Sequence, residues 1–240
     1  MRKELEEARL RPYHWMLIVI VWLAIFFDGY DVFVPAYVIH FVTEPWGLSK
    51  AEAGLLVSAG LVGVGIGAIG QGFIADRIGR RPTMIAGLII SGVLSAATPL
   101  IGTSYGNFLL IRVLTGIGLG VVMPLGTAYI NEYLPRIVRN RLASLAAAGF
   151  SMGAVAVSLL GAAYTEQYGW QLLFYIGSGA ALVGLLFVFV FPESAEWLAA
   201  HGRQEEARRI MARIRPDRAE EYRNATLTAA PACPAAGRSR

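Results

Sequence analysis

The sequence predicts an all-α membrane protein: six transmembrane helices arranged as a 3+3 inverted repeat, followed by a cytoplasmic amphipathic helix. Three observations predict it. More than half of the residues are hydrophobic and few are charged, a membrane composition and not that of a soluble core. Apolar runs of about 20 residues or more, enough to cross a bilayer, recur six times. The net charge of +4 is confined to the segments between and after those runs, which argues against a nucleic-acid partner.

The chain opens on a charged, polar stretch to Pro12. No cleavable signal peptide is apparent, because the apolar run that follows is too long for an h-region. Residues 13–191 read as the six-helix bundle. The first helix runs from about Tyr13 to Phe41. A turn at Pro45-Trp46-Gly47 follows, and Ser49 is placed to cap a second helix from about Ala51 to Ala75. Asp76 to Pro82 reads as a tight charged loop. The third helix spans about Thr83 to Ile101. The fourth, about Asn107 to Leu134, carries Arg112 and Glu132. The fifth spans about Leu142 to Ala163 and the sixth about Leu172 to Phe191. Pro192-Glu193-Ser194 then breaks the helix, and residues 192–223 form a cytoplasmic segment. Its stretch from Ala195 to Arg215 reads as an amphipathic surface helix with Trp197, Leu198, Ile210, Met211 and Ile214 on its apolar face. Residues 224–240 are rich in Ala, Pro and Thr without periodicity and read as a disordered tail.

Lysine and arginine placement sets the orientation. Arg2, Lys3, Arg9 and Arg11 precede helix one; Arg77, Arg80 and Arg81 follow helix two; Arg136, Arg139 and Arg141 follow helix four. The other side has Lys50. The N-terminus, the 2–3 and 4–5 loops and the tail are therefore expected in the cytoplasm of a bacterial inner-membrane protein. Cys233 is the one cysteine, so no disulfide framework or thiol-ligand metal site is expected.

Asp28 and Asp31 lie in the middle of the first apolar run. An ionised acid at bilayer depth costs several kcal/mol, roughly 2.5–3.5 on insertion scales, and marks a functional site by default. Spaced i, i+3, the two share a helix face with a rise of about 4.5 Å between them, so they are expected to point together into a polar cavity. The plainer alternative is one acid satisfied by a neighbouring helix and one passenger. Helices one and four open the two triplets and both carry buried charge, the pattern of inverted-repeat folds with sites at the repeat interface. Arg112 stays charged at any relevant pH. Three readings stand for it: pairing with an aspartate of helix one, binding a carboxylate bidentately, or snorkelling to the outer interface.

Gly65-Ile-Gly67-Ala-Ile-Gly70 spells a dinucleotide fingerprint but lies inside an apolar helix with no preceding strand, so that reading fails. Gly63 with Gly67, and Gly116, Gly118 and Gly120, suit close helix packing instead. His14, His40 and His201 lack metal-ligand spacing. No nucleophile–base arrangement appears, and no enzyme activity is expected.

The string Gly72-Phe-Ile-Ala-Asp76-Arg77-Ile-Gly79-Arg80-Arg81 resembles the loop 2–3 signature of the major facilitator superfamily at every defining position. The resemblance implies the N-terminal half of that fold, with Asp76 and Arg77 helping to latch two halves in an outward-facing state. Arg112-Val-Leu-Thr-Gly116 is similar to a helix-four pattern of many members. Glu132, with six residues between it and Arg139, resembles a 4–5 loop pattern of sugar porters and related families; for it, either an inner-gate ion-pair network with Arg139 and Arg141 or a plain structural salt bridge follows. Pro192-Glu193-Ser194 resembles the segment after helix six of the same relatives. Asp28-Gly-Tyr-Asp31, with Thr115-Gly-Ile-Gly-Leu-Gly120 and Met123-Pro124, is similar to the aromatic acid:proton symporters. That implies import of a benzoate- or 4-hydroxybenzoate-like carboxylate with protons, needing no cofactor beyond the proton. Asp28 and Asp31 are then the coupling or substrate-site acids and Arg112 the candidate carboxylate partner. Such proteins have twelve helices. This chain is expected to be a half-transporter, a truncated or frameshifted product or a fragment, partnered by membrane lipid and by a missing C-terminal half or a second copy. The alternatives are a facilitator of a sugar or other organic ion and a non-transporting membrane protein.

Overall fold

The computed structural model describes residues 12–101, 104–134, 136–214 and 219–224. The expected cytoplasmic N-terminus before Pro12, and the expected tail from residue 225 on, lie outside the described residues. The chain is all-α. Span one is α1, Pro12–Val42; span two is α2, Lys50–Ile78; span three is α3, Arg80–Ile101. Span four is α4, Tyr105–Leu119, continued by α5, Val122–Tyr133. Span five lies within α6, Arg136–Tyr168. Span six is α7, Gln171–Gly177, continued by α8, Gly179–Val190. Among the described residues, six helical stretches are thus long and apolar enough to cross a membrane, as a multi-pass protein requires.

Local chemistry explains the boundaries. The Ser49 hydroxyl accepts from the Glu52 N–H at 3.3 Å, and the Glu52 carboxylate accepts from the Ser49 N–H at 2.8 Å, a reciprocal cap at the start of α2. The fourth span breaks at Gly120-Val121 because Pro124 has no N–H to give the carbonyl of Gly120. The expected loop from Asp76 to Pro82 is wrong in extent: α2 runs to Ile78 and α3 starts at Arg80, leaving Gly79 alone between them. Its φ of 106° lies where a side chain is strained, and its neighbours on either side stay helical.

The expected single amphipathic helix also needs correcting. It is two helices, α9, Ala195–Ala200, and α10, Gln204–Ile214, parted at Gly202 with φ 76°; α11, Ala219–Asn224, follows. Its apolar face is not on a lipid surface. Leu198, Met211 and Ile214 are buried in the same core cluster as Leu17, Val21, Leu125 and Tyr133 of spans one and four. The reason is area: burying that face against protein removes more apolar surface from water than lying at an interface.

The most extensive helix contacts pair span one with span five and span two with span four, and span three with span six. Exchanging the first triplet for the second turns the first pairing into the second and leaves the third unchanged, as a 3+3 repeat demands. Both equivalent crossings rest on glycine. A Cβ on Gly116 would stand 3.0 Å from the Gly63 Cα and 2.9 Å from the Val64 nitrogen; one on Gly153 would stand 3.1 Å from the Gly29 carbonyl carbon. Backbones approach closely there because nothing projects between them.

This geometry sets opposite outcomes for two similar changes. Gly116→Ala forces the span-two crossing apart and is expected to cost about 1–3 kcal/mol. Gly65→Ala, whose Cβ meets open space, is expected to be neutral or to gain up to about 1 kcal/mol from helix propensity. Thermal unfolding followed by tryptophan fluorescence in detergent checks both; equal midpoints for the two variants would refute the crossing.

Candidate functional site

A polar layer crosses the bundle at mid-height. On one side lies the cluster containing Ile25, Val122 and Phe187; on the other lies that containing Tyr30, Val34, Phe108 and Phe174. Between them Arg112 of α4 donates to Asp31 of α1 through a salt bridge of 3.1 Å, with both side chains only 2% exposed. The Ser95 hydroxyl donates to the other Asp31 oxygen at 2.6 Å. Arg112 also reaches Thr98 and Thr115 at 3.3 Å each, and its guanidinium stands 5.0 Å over the Phe174 ring. The Arg112 Nε has no hydrogen-bond partner among the described residues. A cavity of about 10 Å³ lined by Asp31, Gly60, Leu61, Val64 and Arg112 adjoins the pair, near the lower limit for one water molecule.

Of the three readings of Arg112, the structure brings about pairing with a helix-one acid; snorkelling is excluded by burial. The expectation that Asp28 and Asp31 open together onto a polar cavity is corrected. Both are buried, at 3% and 2% exposure, and their surroundings differ. Asp31 is drawn into the bundle by Arg112 and Ser95. Asp28 meets no hydrogen-bond donor or cation among the described residues, and the small cavity does not reach it. Ser95, Thr98 and Phe174 were missed from sequence. A signal existed: Ser91, Ser95 and Thr98 are spaced i, i+4, i+7, one polar stripe on an otherwise apolar helix.

A second cluster ties the Gly79 end of the bundle together. Arg80 donates to Glu132 at 2.6 Å. The Ser194 hydroxyl lies 2.7 Å from the same carboxylate, and the Glu196 N–H donates to it at 3.2 Å. Glu193 accepts the N–H groups of Arg80 and Arg81 at 3.0 and 3.1 Å, satisfying otherwise orphaned donors at the positive end of α3. A Cβ on Gly79 would stand 3.0 Å from the Glu193 carboxyl carbon, a second reason for glycine there. Tyr133 donates to the Glu193 carbonyl at 2.7 Å, and the Trp197 indole to the Asp76 carbonyl at 3.0 Å.

The gating residues thus divide. Gly79, Arg80 and Glu132 meet; Arg81 turns to the Val188 carbonyl. Asp76 and Arg77 are exposed, with no side-chain ion pair among the described residues, and Gly72 faces open space. Glu132 takes Arg80; of its two expected partners, Arg141 is exposed on α6, and the Arg139 side chain lies outside the described residues. Glu193, assigned no chemistry from sequence, is the cap that holds α3 in place. Breaking a buried pair by removing one partner costs about 3–5 kcal/mol. In a double-mutant cycle of Glu132→Gln with Arg80→Met, a coupling of at least about 1 kcal/mol is expected, whereas independent sites add within about 0.5 kcal/mol. Chemical or thermal unfolding of the four chains measures it.

Comparison with known proteins shows the family. Residues 21–230 match the Major Facilitator Superfamily. The chain is 33% identical to the 4-hydroxybenzoate transporter PcaK of Pseudomonas aeruginosa, covering 86% of this chain and 46% of that protein. It is 35% identical to a gallate transporter of Pseudomonas putida, covering 88% of this chain and 46% of that protein. It superposes on the xylose transporter XylE from E. coli in a partially occluded inward open conformation with a TM-score of 0.74, at 26% identity, covering 88% of this chain and 57% of that one. The chain spans about half the length of the curated relatives it matches. It belongs to the Major Facilitator Superfamily.

Proposed function

We propose that this chain forms one half of a proton-coupled symporter for an aromatic carboxylate of the benzoate or 4-hydroxybenzoate kind, in a bacterial inner membrane with its N-terminus in the cytoplasm. The observation that carries the reading is the buried Asp31–Arg112 pair, placed where spans one and four meet, in a chain similar to transporters of 4-hydroxybenzoate and gallate. A guanidinium can trade one carboxylate for another, because both accept its paired N–H groups in the same geometry. A proton on one acid of the Asp28–Asp31 pair makes the site neutral, so that a substrate carboxylate can compete with Asp31 for Arg112. Loss of that proton on the far side makes the site anionic and expels the substrate. Arg112 lines the small cavity, and its Nε, without a hydrogen-bond partner among the described residues, is a further donor for such an exchange. The Arg80–Glu132 contact serves as a gate at the cytoplasmic end, with Asp76 and Arg77 turned outward toward the complementary half.

A single six-helix unit supplies one wall of a path, so transport needs a second unit, either a C-terminal half or another copy of this chain, in the lipid bilayer. A sugar porter is the second reading, supported by the superposition on XylE and by the Glu132–Ser194 contact; no carboxylate is then needed for Arg112 to bind.

Proteoliposomes carrying this chain with the complementary half of an aromatic-acid relative test the proposal. Accumulation of labelled 4-hydroxybenzoate is expected only under an inward proton gradient, collapsed by a protonophore and unaffected by excess xylose. Asp28→Asn and Asp31→Asn should each lower uptake by more than roughly tenfold, equivalent to about 1.4 kcal/mol of lost transition-state stabilisation. Undiminished uptake in either variant removes that acid from coupling; competition by xylose favours the sugar reading.

A further inference from the structure

The mid-membrane interior holds very few charges. Residues 15–27, 32–39, 53–75, 82–111, 113–131, 142–165 and 171–192 contain no Asp, Glu, Lys, Arg or His. What remains is two acids, Asp28 and Asp31, and one permanent cation, Arg112. With both acids ionised the cluster would carry a net negative charge inside protein; with one proton it is neutral. We infer that this proton sits on Asp28, while Asp31 serves as the counterion of Arg112. The inference rests on the symport reading above and divides its two acids into distinct roles.

The partners decide which acid holds the proton. Each oxygen of Asp31 has a donor, Ser95 on one and Arg112 on the other. Those contacts replace the water an ionised carboxylate loses on burial. Asp28 is 3% exposed and has neither hydrogen-bond donor nor cation among the described residues. An unpartnered carboxylate buried that deeply neutralises itself instead of keeping its charge. Asp31 lies one turn away on the same helix, and its negative charge opposes a second one. The facing stretches of α2, α5, α6, α7 and α8 bring no Asp, Glu, Lys, Arg or His to compensate. Asp28 gives up its proton when water reaches it, and the proton then passes from the carboxyl oxygen to that water. Asp31 meanwhile keeps Arg112 from standing as a lone buried cation. One acid is the carrier and the other the anchor.

Infrared spectroscopy of the 240-residue chain in lipid nanodiscs reads this directly. At neutral pH the C=O stretch of a protonated carboxylic acid is expected, shifting in heavy water. It should vanish in Asp28→Asn and persist in Asp31→Glu, which keeps a counterion for Arg112. Asp28→Asn replaces a neutral acid by a neutral amide of the same shape, so its thermal midpoint should stay near that of the parent; Asp31→Asn should lower it clearly. No such band in the parent, or a band that survives Asp28→Asn and is lost in Asp31→Asn, overturns the assignment. So does an Asp28→Asn chain as unstable as Asp31→Asn. The spectrum needs no uptake, so failure of the symport reading would show in the transport assay and leave this measurement intact.

Discussion

The ion pair between Asp31 and Arg112 is the constraint on which the bundle depends. Taking two charges out of water is costly, and their attraction offsets that cost only when geometry and further hydrogen bonds satisfy what remains. Here Ser95, Thr98 and Thr115 supply those bonds from spans three and four, and the Phe174 ring covers the guanidinium from span six. Four of the six spans therefore meet at one polar point between two apolar clusters. Spans two and five contribute through the glycine crossings that bring their partners into range.

The Gly79 end works on different chemistry. Glu132 and Glu193 hold backbone N–H groups and Arg80 at once, so the turn between spans two and three, the end of span four and the start of α9 form one connected network. The segment after span six is thereby part of the bundle. Its apolar residues complete the core at that end, where Leu198 and Met211 are fully buried.

Much of this was legible in sequence, for identifiable reasons. Membrane helices announce themselves because backbone groups must be satisfied internally in lipid, which forces long apolar runs. Charges inside such runs are rare enough that Asp28, Asp31 and Arg112 could be singled out. What the sequence did not disclose was direction. Spacing puts Asp28 and Asp31 on one face but does not say that one finds a guanidinium and the other finds none, because Arg112 lies 81 residues away. Glu132 illustrates the same limit. A resemblance singled out Arg139 and Arg141 for it, and nothing in the sequence linked it to Arg80, which the chain brings across from 52 residues earlier. The apolar face of the segment after span six was read correctly as apolar; whether it met lipid or protein depended on tertiary packing alone.

The 81 residues separating Asp31 from Arg112 also bear on biosynthesis. At about 5–20 residues per second, the ribosome makes the acid roughly 4–16 s before its cation. During that interval the first span occupies the insertion machinery or the bilayer with both aspartates unmatched, retained by apolar residues such as Leu17, Ile18 and Ile20. The growing chain thus has a built-in order of assembly, in which the opening helix waits for the fourth before it can settle.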